Sequence, residues 1–275
     1  MGKLVTQILL CGFFIFLVLN FCPVSSDEVE DETEFNYEHG SERGPERWGE
    51  IRPEWSMCSN GTLQSPIDLL DQRVEVVSHL GRIKKNYKPS NATLKNRGHD
   101  MMLKWESGDA GNIEINGTQY LLQQCHWHSP SEHTINGKNF DLELHVVHET
   151  PSGQTIVVGI LYQIGAPDPF LSSVEDHLDE ISDTEEQTIV GMVDPVRIKI
   201  GSRRYYKYIG SLTIPPCTQN VLWIVVKEIR TVTREQINLL RVAVHDDSDT
   251  NARPIQKTNW RSVELIRDEE IDEED

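Results

Sequence analysis

The residues best suited to chemistry lie in two short segments. Gln124-Cys125-His126-Trp127-His128 sets two imidazoles two positions apart, and the stretch from Phe140 to His148 carries Glu143, His145 and Val147 at the same spacing. In a strand, residues i and i+2 point to one face. His126 and His128 therefore share a face while Trp127 turns away, and Glu143, His145 and Val147 share a face opposite Leu142, Leu144 and Val146. Three neutral imidazoles from two strands leave one position of a tetrahedral zinc open, as in a catalytic site, and no thiolate belongs to the cluster. Glu143, on the face of His145, is placed to orient a metal-bound imidazole. An isolated His-x-His pair is weakly specific, so the weight of this reading rests on the surroundings.

The positioning elements read as strands. Gln119 to Trp127, Phe140 to His148, Ile156 to Ile164 and Val221 to Val226 are β-branched or aromatic runs bounded by turn residues. Asn116-Gly117 and Asn136-Gly137 favour tight turns between such runs. Two helices are expected: one with Phe170, Val174, Leu178 and Ile181 on a single face, and one opened by a Thr233/Gln236 capping box ahead of Ile237 and Leu240. The fold class is mainly β (α+β): one domain around a large sheet with peripheral helices, spanning residues 34–266.

A basic start, an apolar run from Ile8 to Leu19 and small residues at Val24 and Ser26 predict a signal peptide over residues 1–26. The run is shorter than the roughly 20 residues of a spanning helix, so no membrane span is expected after cleavage. The chain carries a net charge of −18, which losing Lys3 with the signal makes one unit more negative, and this disfavours nucleic acid as a partner. Acidic runs at residues 27–33 and 267–275 read as solvated tails. Secretion to the extracellular space is expected, with an organelle lumen reached by the same route as the alternative. Sequons at Asn60, Asn91 and Asn116 agree with that route. An oxidising compartment favours one disulfide among Cys58, Cys125 and Cys217. Sequence alone does not choose the pair, but Cys125 lies between apolar neighbours in a strand and reads as the buried free thiol, so Cys58 with Cys217 is preferred. The oligomeric state is not legible.

The run from Gln124 to Thr134, followed by Glu143-Leu-His-Val-Val-His148, closely resembles the zinc signature of the α-class carbonic anhydrases. Gly44-Pro-Glu-Arg-Trp48, Gln64-Ser-Pro-Ile-Asp68, Gly98-His99, Gly210 to Pro216 and Asn251-Ala-Arg-Pro254 agree in order, and the wording is most similar to the secreted plant branch. This family is also the general example of a three-histidine catalytic zinc. The resemblance implies a twisted, mostly antiparallel sheet and a Zn2+ cofactor on His126, His128 and His145. It also implies that Gln124, Glu143 and the main chain of Asn251 orient those rings, and it supports the Cys58–Cys217 bridge.

The reaction it implies is reversible hydration of CO2 to bicarbonate by zinc-bound hydroxide. Thr213 and Glu132 would orient the nucleophile, and His99 would occupy the proton-shuttle position, where an exposed imidazole titrates in the useful range. Val147, Val157, Leu212 and Trp223 would form the apolar substrate wall, with Ile214 beside it. Sulfonamides and anions are the expected inhibitors. Three positions depart from the family: Ile214 stands where many active members carry threonine, and Arg97 and Met102 replace polar amides, changes expected to lower turnover and to leave metal binding intact. The rival readings are a storage or binding protein on the same fold with weak or no activity, and a zinc hydrolase acting on esters.

Overall fold

The computed structural model describes residues 28–267, apart from residues 30, 79–82, 107, 179, 182–185, 202, 245–247 and 249. The expected signal peptide, and residues 268–275 of the expected C-terminal tail, lie outside the described residues.

The alternating β-branched sequence builds fifteen strands among the described residues: β1 (Asp68–Leu69), β2 (Glu75–Ser78), β3 (Lys84–Tyr87), β4 (Ser90–Asn96), β5 (Met101–Trp105), β6 (Gly111–Ile115), β7 (Thr118–His128), β8 (Thr134–Ile135), β9 (Leu142–Glu149), β10 (Thr155–Ile164), β11 (Gln187–Val193), β12 (Arg204–Ser211), β13 (Gln219–Val226), β14 (Arg230–Val232) and β15 (Glu264–Arg267). One large sheet runs β11-β4-β5-β7-β9-β10-β13-β12-β15-β2, with β14 on β10 and the pair β3-β6 reaching it through β7. Its long central pairs are antiparallel, except that β10 and β13 run parallel. The four strands expected from sequence are β7, β9, β10 and β13.

Period-2 alternation sorts side chains to two cores. Leu142, Leu144, Val146, Cys125 and Trp127 join the larger cluster on one face, where Trp127 stacks on Phe170 at 6.1 Å between ring centroids. Val147, Val157, Leu212 and Trp223 join a second cluster on the other face. A third, near the N-terminal segment, gathers Phe35, Tyr37, Trp48, Trp55 and the Cys58–Cys217 disulfide, while Cys125 stays a buried free thiol. Asn116 (φ 50°) and Gly117 (φ 80°) close the β6–β7 hairpin, where Ile115 pairs with Thr118. Positive φ at both loop residues is what such a two-residue turn requires.

The Thr233/Gln236 capping box forms as expected: the Gln236 amide donates to Thr233 Oγ1 (3.1 Å) and the Thr233 amide to Gln236 Oε1 (3.2 Å), opening the helix Arg234–Val244. The other expected helix is corrected. Phe170, Val174, Leu178 and Ile181 are all buried, but the chain makes a 3₁₀ turn at Leu171–Ser173 and a single α turn at Glu175–Leu178. Ser173 Oγ donates to the Phe170 carbonyl, and a side chain that bonds nearby backbone in this way competes with a continuous helix. The N-terminal acidic run is corrected too. Glu28 and Glu32 are buried against Arg97, because that guanidinium, itself enclosed, draws carboxylates in.

Candidate metal centre

The β7–β9 register sets His126 opposite His145 and His128 opposite Glu143. All three imidazoles are buried, and one ring nitrogen from each lies within 4.8 Å of the others. The remaining nitrogen of each ring is held by a fixed oxygen: His126 Nδ1 by Gln124 Oε1 (2.9 Å), His128 Nδ1 by the Asn251 carbonyl (2.7 Å) and His145 Nε2 by Glu143 Oε1 (3.0 Å). Each oxygen acts as acceptor, so each ring carries its proton on that side. The lone pairs of His126 Nε2, His128 Nε2 and His145 Nδ1 are left for a common ligand.

Two observations test whether a metal fits there. His128 Nε2 is buried with no hydrogen-bond partner, and His145 Nδ1 faces His126 Nε2 at 3.3 Å. Two lone pairs that close need a cation between them, and the separation matches the edge of about 3.3 Å of a tetrahedron with zinc–nitrogen bonds of about 2.0–2.1 Å. A second group of potential ligands, His133, Glu143 and His145, is already bonded within itself, since His133 Nδ1 lies 2.7 Å from Glu143 Oε1 and the His133 amide donates to Glu143 Oε2 at 2.7 Å.

Electrostatics favour the neutral, ligating form. Burial holds His126 well below the usual histidine range, with the charge of Arg97 adding to it, and burial brings His145 down to about 4 against the pull of Glu143. Burial would raise Glu143, but His133 and His145 outweigh it and hold the carboxylate well below its ordinary value. Further along β9, burial lowers His148 to about 3. The unfolded chain binds these histidine protons below about pH 6.5, whereas in the folded chain His145 takes one up only near pH 4 and His148 near pH 3, with His126 likewise held well below its ordinary value. The stability these histidines carry is then fully present above about 6.5 and is lost as pH falls through that window; Glu32, which burial raises well above its ordinary value, opposes this with one group against three. The thermal midpoint of the metal-free chain is expected to fall steadily from pH 7 to pH 4.5, and a flat profile in a series of melts would contradict these assignments.

Around the histidines, Glu132 is fixed by the Arg253 amide on Oε1 (2.8 Å), while Oε2 has no hydrogen-bond partner and stands 3.7 Å from His128 Nε2. The expected Thr213–Glu132 hydrogen bond is therefore not made here, because the second oxygen turns toward the imidazoles. Thr213 is buried nearby in sequence to Leu212 and Ile214. Val147, Val157, Leu212 and Trp223 belong to one buried cluster, but Ile214 belongs to the aromatic cluster of Phe35, Trp48 and Trp55. His99 is corrected as an exposed shuttle. It is 8% exposed, its Nε2 lies 2.7 Å from the Phe35 carbonyl, and the rings of Phe35 and Tyr37 flank it. The N-terminal aromatic segment folds over it.

A cleft of about 390 Å³ is lined by Glu28, Arg97, Met102, Gln124, Val147 and Leu212, among others. Two of the three departures, Arg97 and Met102, thus reach it. Residues that sequence spacing did not single out complete the site. His133 Nε2 lies 2.7 Å from Tyr208 Oη, which meets Ser65 Oγ at 2.8 Å, so the Glu143 partner is itself anchored. Gly159 sits opposite His145, where an added Cβ would come within 2.9 Å of Glu143 Oε1. The only sequence signal for it is a glycine inside an otherwise β-branched strand, which marks close approach.

Comparison with known proteins agrees with this geometry. Residues 43–267 match the family model for eukaryotic-type carbonic anhydrase. The chain is 61% identical over 258 residues to alpha carbonic anhydrase 7 of Arabidopsis thaliana, covering 93% of this chain and 94% of that protein. Among solved structures it is similar to dioscorin complexed with ascorbate (TM-score 0.83, 42% identity, 86% of this chain and 99% of that one). It is also similar to the α-carbonic anhydrase of Thermovibrio ammonificans in complex with the inhibitor sulfanilamide (TM-score 0.75, 33% identity, 84% and 98%). The chain belongs to the eukaryotic-type α-carbonic anhydrase family.

Proposed function

We propose that this chain binds zinc at His126, His128 and His145 and catalyses the reversible hydration of CO2 to bicarbonate and a proton. The observation that carries this reading is the convergence of three ring-nitrogen lone pairs whose opposite nitrogens are each committed to a fixed oxygen. Zinc held there lowers the pKa of a coordinated water to about 7, the effect for which carbonic anhydrases are the standard example, and so supplies a nucleophile at neutral pH.

The chain's own residues do the rest. Gln124, Glu143 and the Asn251 carbonyl keep the three rings in the ligating tautomer and orientation. Glu132, pinned by the Arg253 amide, keeps Oε2 without a hydrogen-bond partner; with the imidazoles committed to the metal, that oxygen would be available to accept from the Thr213 hydroxyl, and such a pair would fix the direction of attack, since orientation lowers a barrier without new charge. Val147, Val157, Leu212 and Trp223 offer an apolar wall suited to a substrate with no net dipole. A buried His99 does not serve as an exposed proton relay, so proton release is expected to limit turnover.

Stopped-flow CO2 hydration on the zinc-loaded chain, with and without a sulfonamide, tests the activity. Sulfonamide-sensitive hydration is expected; a zinc-loaded chain with no hydration above buffer would instead favour the storage or binding reading. That second reading draws support from the similarity to dioscorin and from the burial of His99. Secretion is supported by the Cys58–Cys217 disulfide, which suits an oxidising compartment. Glycosylation is supported by the exposure of Asn60, Asn91 and Asn116. No helix among the described residues is long and apolar enough to cross a membrane.

A further inference from the structure

The N-terminal segment enters the metal cleft. Glu28 is 8% exposed on its side chain, and its Oε2 accepts from Arg97 Nη1 (2.9 Å) and from Gln124 Nε2 (3.0 Å) while standing 3.7 Å from His126 Nδ1. The segment is pinned immediately after that contact. The Val29 amide donates to the Pro215 carbonyl (3.4 Å), the Glu32 amide donates to the Arg97 carbonyl (2.7 Å), and Phe35 is fully buried among Tyr37, Trp48 and Trp55.

The amide of Gln124 has two ends, and only one of them suits His126. Its oxygen must face His126 Nδ1 for that ring to keep its proton there and leave Nε2 free. A carboxylate accepts hydrogen bonds and cannot donate them when ionised, so Glu28 selects the Gln124 orientation in which the NH2 group faces outward. Arg97 in turn holds Glu28, and Asp100, bonded to Arg97 Nε at 2.7 Å, holds the guanidinium. The charge-assisted chain therefore runs from Asp100 through Arg97, Glu28 and Gln124 to His126. Arg97, at a position expected from sequence to perturb the cleft, has a positive role here as the receptor for the segment.

We propose that Glu28 is a positioning residue of the metal centre, fixing the Gln124 amide and through it the His126 ligand, so that the N-terminal segment forms part of the zinc site. This rests on the reading of the three histidines as a zinc centre. Glu28→Ala leaves Arg97 with Asp100 and Glu32, so the fold is expected to hold.

The test is the rate of zinc loss to excess chelator from the full chain, measured for wild type, Glu28→Ala, Gln124→Ala and the double variant. Loss of an outer partner typically costs about 10- to 100-fold in metal affinity. Glu28→Ala, one link further out, is expected to speed zinc loss about 3- to 10-fold, and Glu28→Gln, which keeps an acceptor oxygen, by less. If Glu28 acts through Gln124, the double variant loses zinc no more than about twofold faster than Gln124→Ala alone, as a double-mutant cycle requires of coupled residues. A wild-type rate in Glu28→Ala, or a double variant in which the two effects multiply in full, overturns the proposal while the zinc reading stands. A wild-type chain that takes up no zinc overturns both.

Discussion

Replacing His128 with alanine is expected to abolish zinc retention and, with it, CO2 hydration. The variant removes one of three nitrogen donors and strands the Asn251 carbonyl, which loses its partner at 2.7 Å. Since loss of a mere outer partner costs about 10- to 100-fold in affinity, loss of a ligand should exceed the upper end of that range, more than about 100-fold. The fold should survive, because His128 lies at the C-terminal end of β7 and the large cluster behind the sheet does not include it. Metal analysis after dialysis, paired with stopped-flow hydration and a circular-dichroism spectrum, checks the result. A folded variant that keeps stoichiometric zinc would contradict the assignment.

The second large effect is on stability. Cys58 and Cys217 are separated by 159 residues, and in the chain-entropy model a loop of that length restrains the unfolded state by about 5 kcal/mol. For a domain of this size each kcal/mol moves the thermal midpoint by about 2–4 °C, so Cys58→Ser should lower it by about 10–20 °C. The bridge also ties the turn Met57–Asn60 to the segment that carries Thr213 and Ile214, and the Cys217 amide donates to the Ile214 carbonyl at 2.9 Å. Loosening it should therefore disturb the site as well as the fold. Equal midpoints for Cys58→Ser and wild type in non-reducing melts would count against the bridge.

What was legible in the sequence and what was not follows a physical division. Strand faces are set by a local period of two, so the sharing of one face by His126 and His128, the turn of Trp127 to the opposite face and the alternation from Leu142 to Val147 can all be read directly. The Thr233/Gln236 capping box is likewise a contact across three residues. His99 and Glu28 could not be read in this way. The environment of His99 is made by Phe35 and Tyr37, more than 60 positions away, and that of Glu28 by Arg97 and Gln124. An acidic run reads as solvated until a buried guanidinium is found to receive it. The expected helix from Phe170 to Ile181 is interrupted for a local reason that periodicity does not register: Ser173 bonds the Phe170 carbonyl through its side chain. The family resemblance puts Ile214 beside the substrate wall, whereas the aromatic cluster beside the disulfide supplies its packing.

The central claim is that three imidazoles from β7 and β9 hold one zinc ion, and anomalous diffraction from crystals of the zinc-loaded chain, collected at the zinc edge, tests it most directly. A single peak about 2.0–2.1 Å from His126 Nε2, His128 Nε2 and His145 Nδ1 is the predicted result. No peak there in a metal-supplied crystal, or a peak bound by His133 and Glu143 instead, would contradict the account.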